Sequence, residues 1–132
     1  MKKILILTHG EWGKHLIESA KMIVGNTDRV YFLPLYPQET LNEFTEKVEK
    51  KVKELDNDVI FLTDISGGTT SNVAMKIAYQ NNQKVISGLS APLLFETINA
   101  LDEIDTNGEI INEVIEEAKN NCKDLLKEIL GK

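Results

Sequence analysis

Ile4-Leu5-Ile6-Leu7-Thr8-His9-Gly10 is a run of four apolar residues without polar alternation, then a hydroxyl, a titratable ring and a turn residue. Such a run is the pattern of a short strand covered on both faces. Val59-Ile60-Phe61-Leu62 repeats it and ends in Thr63-Asp64-Ile65-Ser66-Gly67-Gly68-Thr69-Thr70-Ser71-Asn72. Two buried strands that each stop at a polar, chemically capable sequence predict a parallel sheet whose carboxyl edge carries a site.

The segments between and beyond these runs fit that plan. Leu16, Ile17, Ala20, Ile23 and Val24 share one helical face, with Gly25 as the C-terminal cap. Val30 to Leu33 is a second strand, which Pro34 and Pro37 keep from continuing as a central one. Thr40 precedes a second helix with its stripe at Leu41, Phe44, Val48, Val52 and Leu55. Val73, Ala74, Ile77 and Ala78 carry a third helix ending at Asn81-Asn82, and Val85-Ile86 a fourth strand. Gly88 to Ala91 is a turn, and Pro92 starts a helix through Leu94, Phe95, Ile98 and Leu101. Asp105 to Gly108 reads as a loop. Ile111, Val114, Ile115, Ala118, Cys122, Leu125 and Ile129 then form one long amphipathic stripe, with Cys122 on its buried side. Strands alternating with helices predict an α/β fold: an open, mostly parallel four-stranded sheet with helices on both faces.

The 132 residues suit a single domain spanning 1–132. A net charge of -6 argues against nucleic acid and anionic membrane as partners and favours a basic protein. One cysteine and no Cys/His metal spacing predict a reduced, cytoplasmic chain without metal or cofactor. The Met1-Lys2-Lys3 start lacks the apolar stretch of a signal peptide.

The strand exits at His9, Asp64 and Ser90-Ala91 share one sheet edge, so His9 and Asp64 can meet. Gly67-Gly68 followed by Thr69, Thr70 and Ser71 suggests an anion cradle of backbone N–H groups and hydroxyls at a helix start. The Walker lysine and spacing are missing. A neutral imidazole is a nucleophile through one nitrogen, and a carboxylate on the other fixes the tautomer and stabilises the cation formed on attack. If the anion is a phosphoryl group, the product is a phosphohistidine. A hydrolase lacks support, since no Ser or Cys sits in a nucleophile elbow. Each feature taken singly has an ordinary structural reading: a loop histidine, a turn-capping aspartate, a tight strand-to-helix turn. His15 reads as a solvated helix residue, and Trp12 as either a core residue or a partner contact.

Ile6 to Gly10, Gly25, Phe61 to Asn72 and Ala91 to Glu96, in this order and spacing, resemble the enzyme IIA domain of the mannose-family sugar phosphotransferase system. The resemblance covers nearly the whole chain. It implies a phosphocarrier that accepts a phosphoryl group from phosphorylated HPr and passes it to a IIB domain, linked through that domain to membrane IIC and IID proteins. His9 matches the phosphorylated histidine, with Nε2 as acceptor nitrogen, and Asp64 the aspartate on the other side of its ring. Gly67, Gly68 and Thr69 match the loop around the phosphate, which Gly10, Thr70 and Ser71 extend. Ser66 stands where the family tends to have an aromatic residue, a departure on the partner-facing surface. The resemblance also implies a homodimer that exchanges an antiparallel strand, for which the segment after Cys122 is the candidate. The phosphotransfer subunit of the dihydroxyacetone kinase system and a phosphohistidine-based regulatory module are the alternatives.

Overall fold

The structure, a computed structural model, describes residues 1–104 and 107–132. Its elements are β1 (Lys3–His9), α1 (Trp12–Val24), β2 (Val30–Leu35), α2 (Leu41–Glu54), β3 (Val59–Thr63), α3 (Thr69–Asn81), β4 (Lys84–Ile86), α4 (Ala91–Thr106), α5 (Ile110–Lys119) and α6 (Leu125–Leu130). The sheet is wholly parallel, in the order β2-β1-β3-β4. From β1 the chain runs outward to β2, then crosses back over β1 to β3. The order therefore reverses between β1 and β3, and in open α/β sheets the crevice for a ligand opens at such a switch point.

The two inner strands bury both faces, as their unbroken apolar runs predict. Ile4, Ile6, Ile60 and Leu62 point into a core closed by α1, α4 and α5. Leu5, Leu7, Val59 and Phe61 point into a second core closed by α2 and α3, where Phe44, Val48, Val52, Val73, Ala74 and Ile77 meet them. Pro34 lies within β2 opposite Thr8, and the strand survives because it is an edge: a residue without an N–H costs no ladder bond on the open side. A capping box fixes the start of α2, Thr40 Oγ1 accepting from Glu43 N–H at 3.1 Å and Glu43 returning an acceptor to Thr40 N–H at 2.9 Å.

Several sequence expectations are corrected. The long C-terminal stripe is two helices, α5 and α6, separated at residues 120–124, and Cys122 in that break is exposed. α5 ends at the Asn120 cap, and the Asn121 side-chain amide donates to the Glu117 carbonyl at 3.1 Å, a backbone acceptor that a continuing helix would use. The residues proposed for an exchanged strand form α6, whose Leu125, Leu126, Ile129 and Leu130 are all exposed. Ile23 is exposed because it lies at the border of the α1 stripe, whose centre runs through Gly13 and Ala20. Leu41 is exposed because it is the first residue of α2, facing the sheet edge rather than the core. In the loop expected over residues 105–108, Asp105 and Thr106 lie outside the described residues, and Asn107 caps α4. Among the described residues no helix is long and apolar enough to cross a membrane.

One close approach fixes how α1 lies on the sheet. A methyl group at Gly13 would stand 2.9 Å from Phe32 Cε1, 2.9 Å from Thr8 Cγ2 and 3.1 Å from Ile6 Cγ2. Gly13→Ala is therefore expected to lower stability by about 1–3 kcal/mol through overpacking, although alanine is the better helix former. The check is a fall in the urea midpoint at unchanged slope.

Candidate functional site

β1 and β3 pair side by side, with Leu7 opposite Thr63, so the residues just past these positions emerge together at the carboxyl edge. His9 and Asp64, 55 positions apart in sequence, meet there. Asp64 Oδ2 lies 2.7 Å from His9 Nδ1 and also accepts the His9 backbone N–H at 2.7 Å. Asp64 Oδ1 accepts the Thr70 hydroxyl at 2.6 Å and the Ile65 backbone N–H at 3.1 Å. The carboxylate is nearly buried, while the His9 side chain is about half exposed, at 46%.

Burial by itself would push the Asp64 carboxyl up. The hydrogen bonds from His9 N–H, Thr70 and the His9 ring, with the attraction of that ring, outweigh it and hold the group below the usual carboxylate range. An ionised Asp64 has no proton to give, so Nδ1 is the donor in the ring contact. Nε2 is then the ring nitrogen that keeps its in-plane lone pair.

Gly68 brings α3 against the ring: a methyl group there would stand 3.2 Å from His9 Cε1. As the N-cap of α3, Gly68 supplies no side-chain cap, so the first-turn N–H groups of Thr69, Thr70 and Ser71 lack the acceptor a Ser or Asp would provide. Gly67, at φ +77, makes the left-handed turn that admits this approach.

The other cradle residues fall into two groups. Thr69 lines the cleft beside His9. Thr70 and Ser71 are buried, and their hydroxyls are committed elsewhere: Thr70 to Asp64, Ser71 to the Ile65 carbonyl, with Thr63 Oγ1 2.6 Å from Ser71 Oγ. Gly10 lines the cleft, but its N–H donates to Leu35 O at 2.8 Å. Ser90, at the third strand exit, caps α4 by accepting Leu93 N–H at 3.2 Å. His15 is a surface residue 3.5 Å from Glu18. Trp12 is 43% exposed at the start of α1.

A second wall was missed in the sequence. The cleft at His9, about 510 Å³, is closed on its far side by Leu35, Tyr36, Pro37, Glu39 and Leu41, at and after the end of β2. The Tyr36 hydroxyl donates to the Glu11 carboxylate, tying this wall to the turn after His9. That bond first, then burial and the negative charges of Glu11 and Glu39, push the Tyr36 hydroxyl up. Glu39 accepts Tyr36 N–H at 2.8 Å and pairs with Lys47 at 2.8 Å. Lys47 also donates to Pro34 O at 2.6 Å. The available signal was positional: Leu35-Tyr36-Pro37 follows a parallel strand and so leaves the same edge as His9 and Asp64.

The family model described as "PTS system fructose IIA component", for the phosphotransferase system, matches residues 3–118. The chain is 30% identical over 125 residues to the mannose-specific EIIAB component of Escherichia coli, covering 92% of this chain and 39% of that protein. It thus spans about two fifths of the length of that relative. It is 29% identical over 107 residues to the fructose-specific EIIA component of Bacillus subtilis, covering 79% of this chain and 73% of the other. The crystal structure of the IIA protein associated with the fucose utilization operon of Streptococcus pneumoniae superposes with a TM-score of 0.84. The two are 32% identical, over 97% of this chain and 96% of that one.

The depressed Asp64 carboxyl carries a pH consequence. A group whose folded value lies below its unfolded value contributes stability that is present above the unfolded value, ~3.9, and lost as pH falls through the folded value. Asp64→Asn is expected to flatten this acid limb. Parallel acid dependence of urea unfolding in the wild type and the variant would show that Asp64 contributes nothing to it.

Proposed function

The chain belongs to the mannose/fructose-type IIA family of the sugar phosphotransferase system, a family of phosphotransferase components, and from that premise we propose that His9 is its phosphoryl-carrying residue. One observation carries the reading: Asp64 accepts the hydrogen bond from His9 Nδ1–H, which leaves the Nε2 lone pair free on a half-exposed ring that lines the cleft. In the proposed step Nε2 attacks the phosphorus of phosphorylated HPr. The new P–N bond forms as the donor's P–N bond breaks, and the electron pair of the broken bond stays on the donor's nitrogen. The positive charge that develops on the His9 ring lies against the ionised Asp64. Transfer to a IIB domain is the same displacement with His9 as leaving group. Catalysis is positioning and charge compensation.

The cradle has a narrower set of donors than the residue types promise. The first-turn N–H groups of α3 and the Thr69 hydroxyl remain for the phosphoryl oxygens, with Gly67 and Gly68 providing access rather than side-chain contacts. Thr70 and Ser71 contribute through their backbone, and Gly10 through the turn that exposes His9.

Both partners have to reach a single nitrogen, so both dock on the same edge. Trp12, Leu41 and Ile65 stand exposed there at 43%, 61% and 55%, a set of apolar anchors on three different elements that fits a protein partner. The exposed apolar residues of α6 likewise fit burial against a second subunit.

Incubation with labelled phosphoenolpyruvate, enzyme I and HPr is expected to give one acid-labile, base-stable phosphate on the wild type and none on His9→Ala. Equal labelling of the variant would overturn the assignment. Trp12→Ala is expected to keep labelling at saturating HPr while raising the apparent KM for HPr by about tenfold, ~1.4 kcal/mol. An unchanged KM would remove Trp12 from the docking surface.

A further inference from the structure

Thr70 behaves unlike the other helical threonines whose hydroxyl partners are known. Thr45 and Thr97 each donate back to the carbonyl four residues earlier, Leu41 at 2.8 Å and Leu93 at 2.7 Å. This is the usual resting place of a threonine hydroxyl within a helix. Thr70, the second residue of α3, has Ser66, outside the helix, four residues back, and its hydroxyl donates to Asp64 Oδ1 at 2.6 Å; no part of the residue is solvent-exposed. The opposite oxygen of the same carboxylate holds the His9 ring. The three side chains form one chain of contacts: Thr70 hydroxyl, Asp64 carboxylate, His9 imidazole.

We propose that Thr70 is a positioning residue, its hydroxyl locking the plane of the Asp64 carboxylate so that Oδ2 keeps His9 in the Nδ1–H tautomer with Nε2 unprotonated. The consequence for phosphoryl transfer rests on the reading of His9 as the acceptor; the tautomer does not. Without the hydroxyl, Oδ1 keeps only the Ile65 N–H at 3.1 Å, a longer contact on the adjacent residue. The His9 backbone N–H still holds Oδ2 at 2.7 Å, so the carboxylate stays in place but turns more freely about its Cβ–Cγ bond, and the contact that selects the Nδ1 proton loosens. A proton on Nε2 leaves that nitrogen without a lone pair in the ring plane, so it cannot attack. Thr70 thereby acts on the nucleophile two contacts away and spends the hydroxyl that a phosphate cradle would otherwise use.

The test is nitrogen-15 NMR of histidine-labelled protein in alkaline solution, where the neutral ring reports its tautomer. His15, exposed and facing Glu18 rather than Asp64, serves as the internal control. Thr70→Val keeps the side-chain shape and deletes the hydroxyl, and Thr70→Ala is a second deletion should valine perturb folding. The Nδ1–H to Nε2–H ratio of His9 is expected to fall about tenfold in either variant, the scale of one hydrogen bond to a charged group. Thr70→Ser is expected to restore it, and His15 to stay unchanged. A wild-type tautomer ratio in folded Thr70→Val and Thr70→Ala overturns the proposal, including the case where phosphorylation alone is slowed, which would make the hydroxyl a phosphate ligand. Because no partner protein enters this measurement, a wild type that accepts no phosphate overturns the carrier reading and leaves the tautomer ratio to judge Thr70.

Discussion

The Asp64 carboxylate is the point on which the site depends. It receives four donors from three places: the backbone and ring of His9 at the end of β1, the backbone of Ile65 in the loop after β3, and the hydroxyl of Thr70 in α3. A nearly buried carboxylate is costly unless its lone pairs are filled, and here they are filled by exactly the elements that must be held in register. The same contacts that keep it ionised therefore set the geometry of the histidine. Because His9 uses its own N–H as well as its ring, the histidine is fixed at both the backbone and the side chain.

That arrangement is available only at the switch point of the sheet. β1 and β3 are neighbours because the chain leaves β1, builds β2 on its outer side and returns across it. Their paired register then sets His9 and Asp64 at hydrogen-bond distance without any special loop conformation. The loop that does carry special geometry is 65–68, where the left-handed Gly67 and the bare Gly68 let the N-terminus of α3 reach the ring. Ser71 holds this loop by donating to the Ile65 carbonyl, so the cradle is anchored to the core through Thr63. Rigidity on this side comes from buried hydroxyls rather than from apolar packing.

The fold was legible in the sequence to the extent that burial leaves a periodic trace. Ile4 to Leu7 and Val59 to Leu62 are apolar throughout because they are covered on both faces, and the stripe of Phe44, Val48 and Val52 follows the one buried face of α2. The trace misled where periodicity outlasted structure: Cys122, Leu125 and Ile129 continue the α5 stripe in phase, yet the helix stops at Asn120 and these residues face solvent. At the site, His9, Asp64 and the glycines were visible as types at strand exits. The direction of each hydroxyl was not, because Thr69, Thr70 and Ser71 are consecutive on a helix turn and only the packing decides which of them meets the cleft and which the interior. The wall of Tyr36, Pro37 and Leu41 was hidden because Pro34 and Pro37 read naturally as strand breakers, a reading about β2 that says nothing of what lies beside His9.

In the carrier reading the phosphoryl group has to be held and also surrendered, and the two walls of the cleft would divide that task. On the α3 side the uncapped helix start offers N–H donors and a positive dipole end to an anion. On the β2–α2 side the cleft is lined by the Glu39 carboxylate, paired with Lys47, and by Tyr36, whose neutral hydroxyl is bonded to Glu11 in the turn after His9. Among the described residues no lysine or arginine lines this cleft. A site full of cationic side chains and free hydroxyls would deepen the ground state and slow departure, since only interactions that strengthen on the way to the transition state speed transfer. On that reading, committing Thr70 and Ser71 to the framework would keep two hydroxyls out of a phosphate's reach, and the Glu39 carboxylate opposite the helix end would limit how tightly a dianion is held. In the carrier reading, the bond to His9 is kept in place by geometry and left weak in charge, which suits a residue that must take and give the same group.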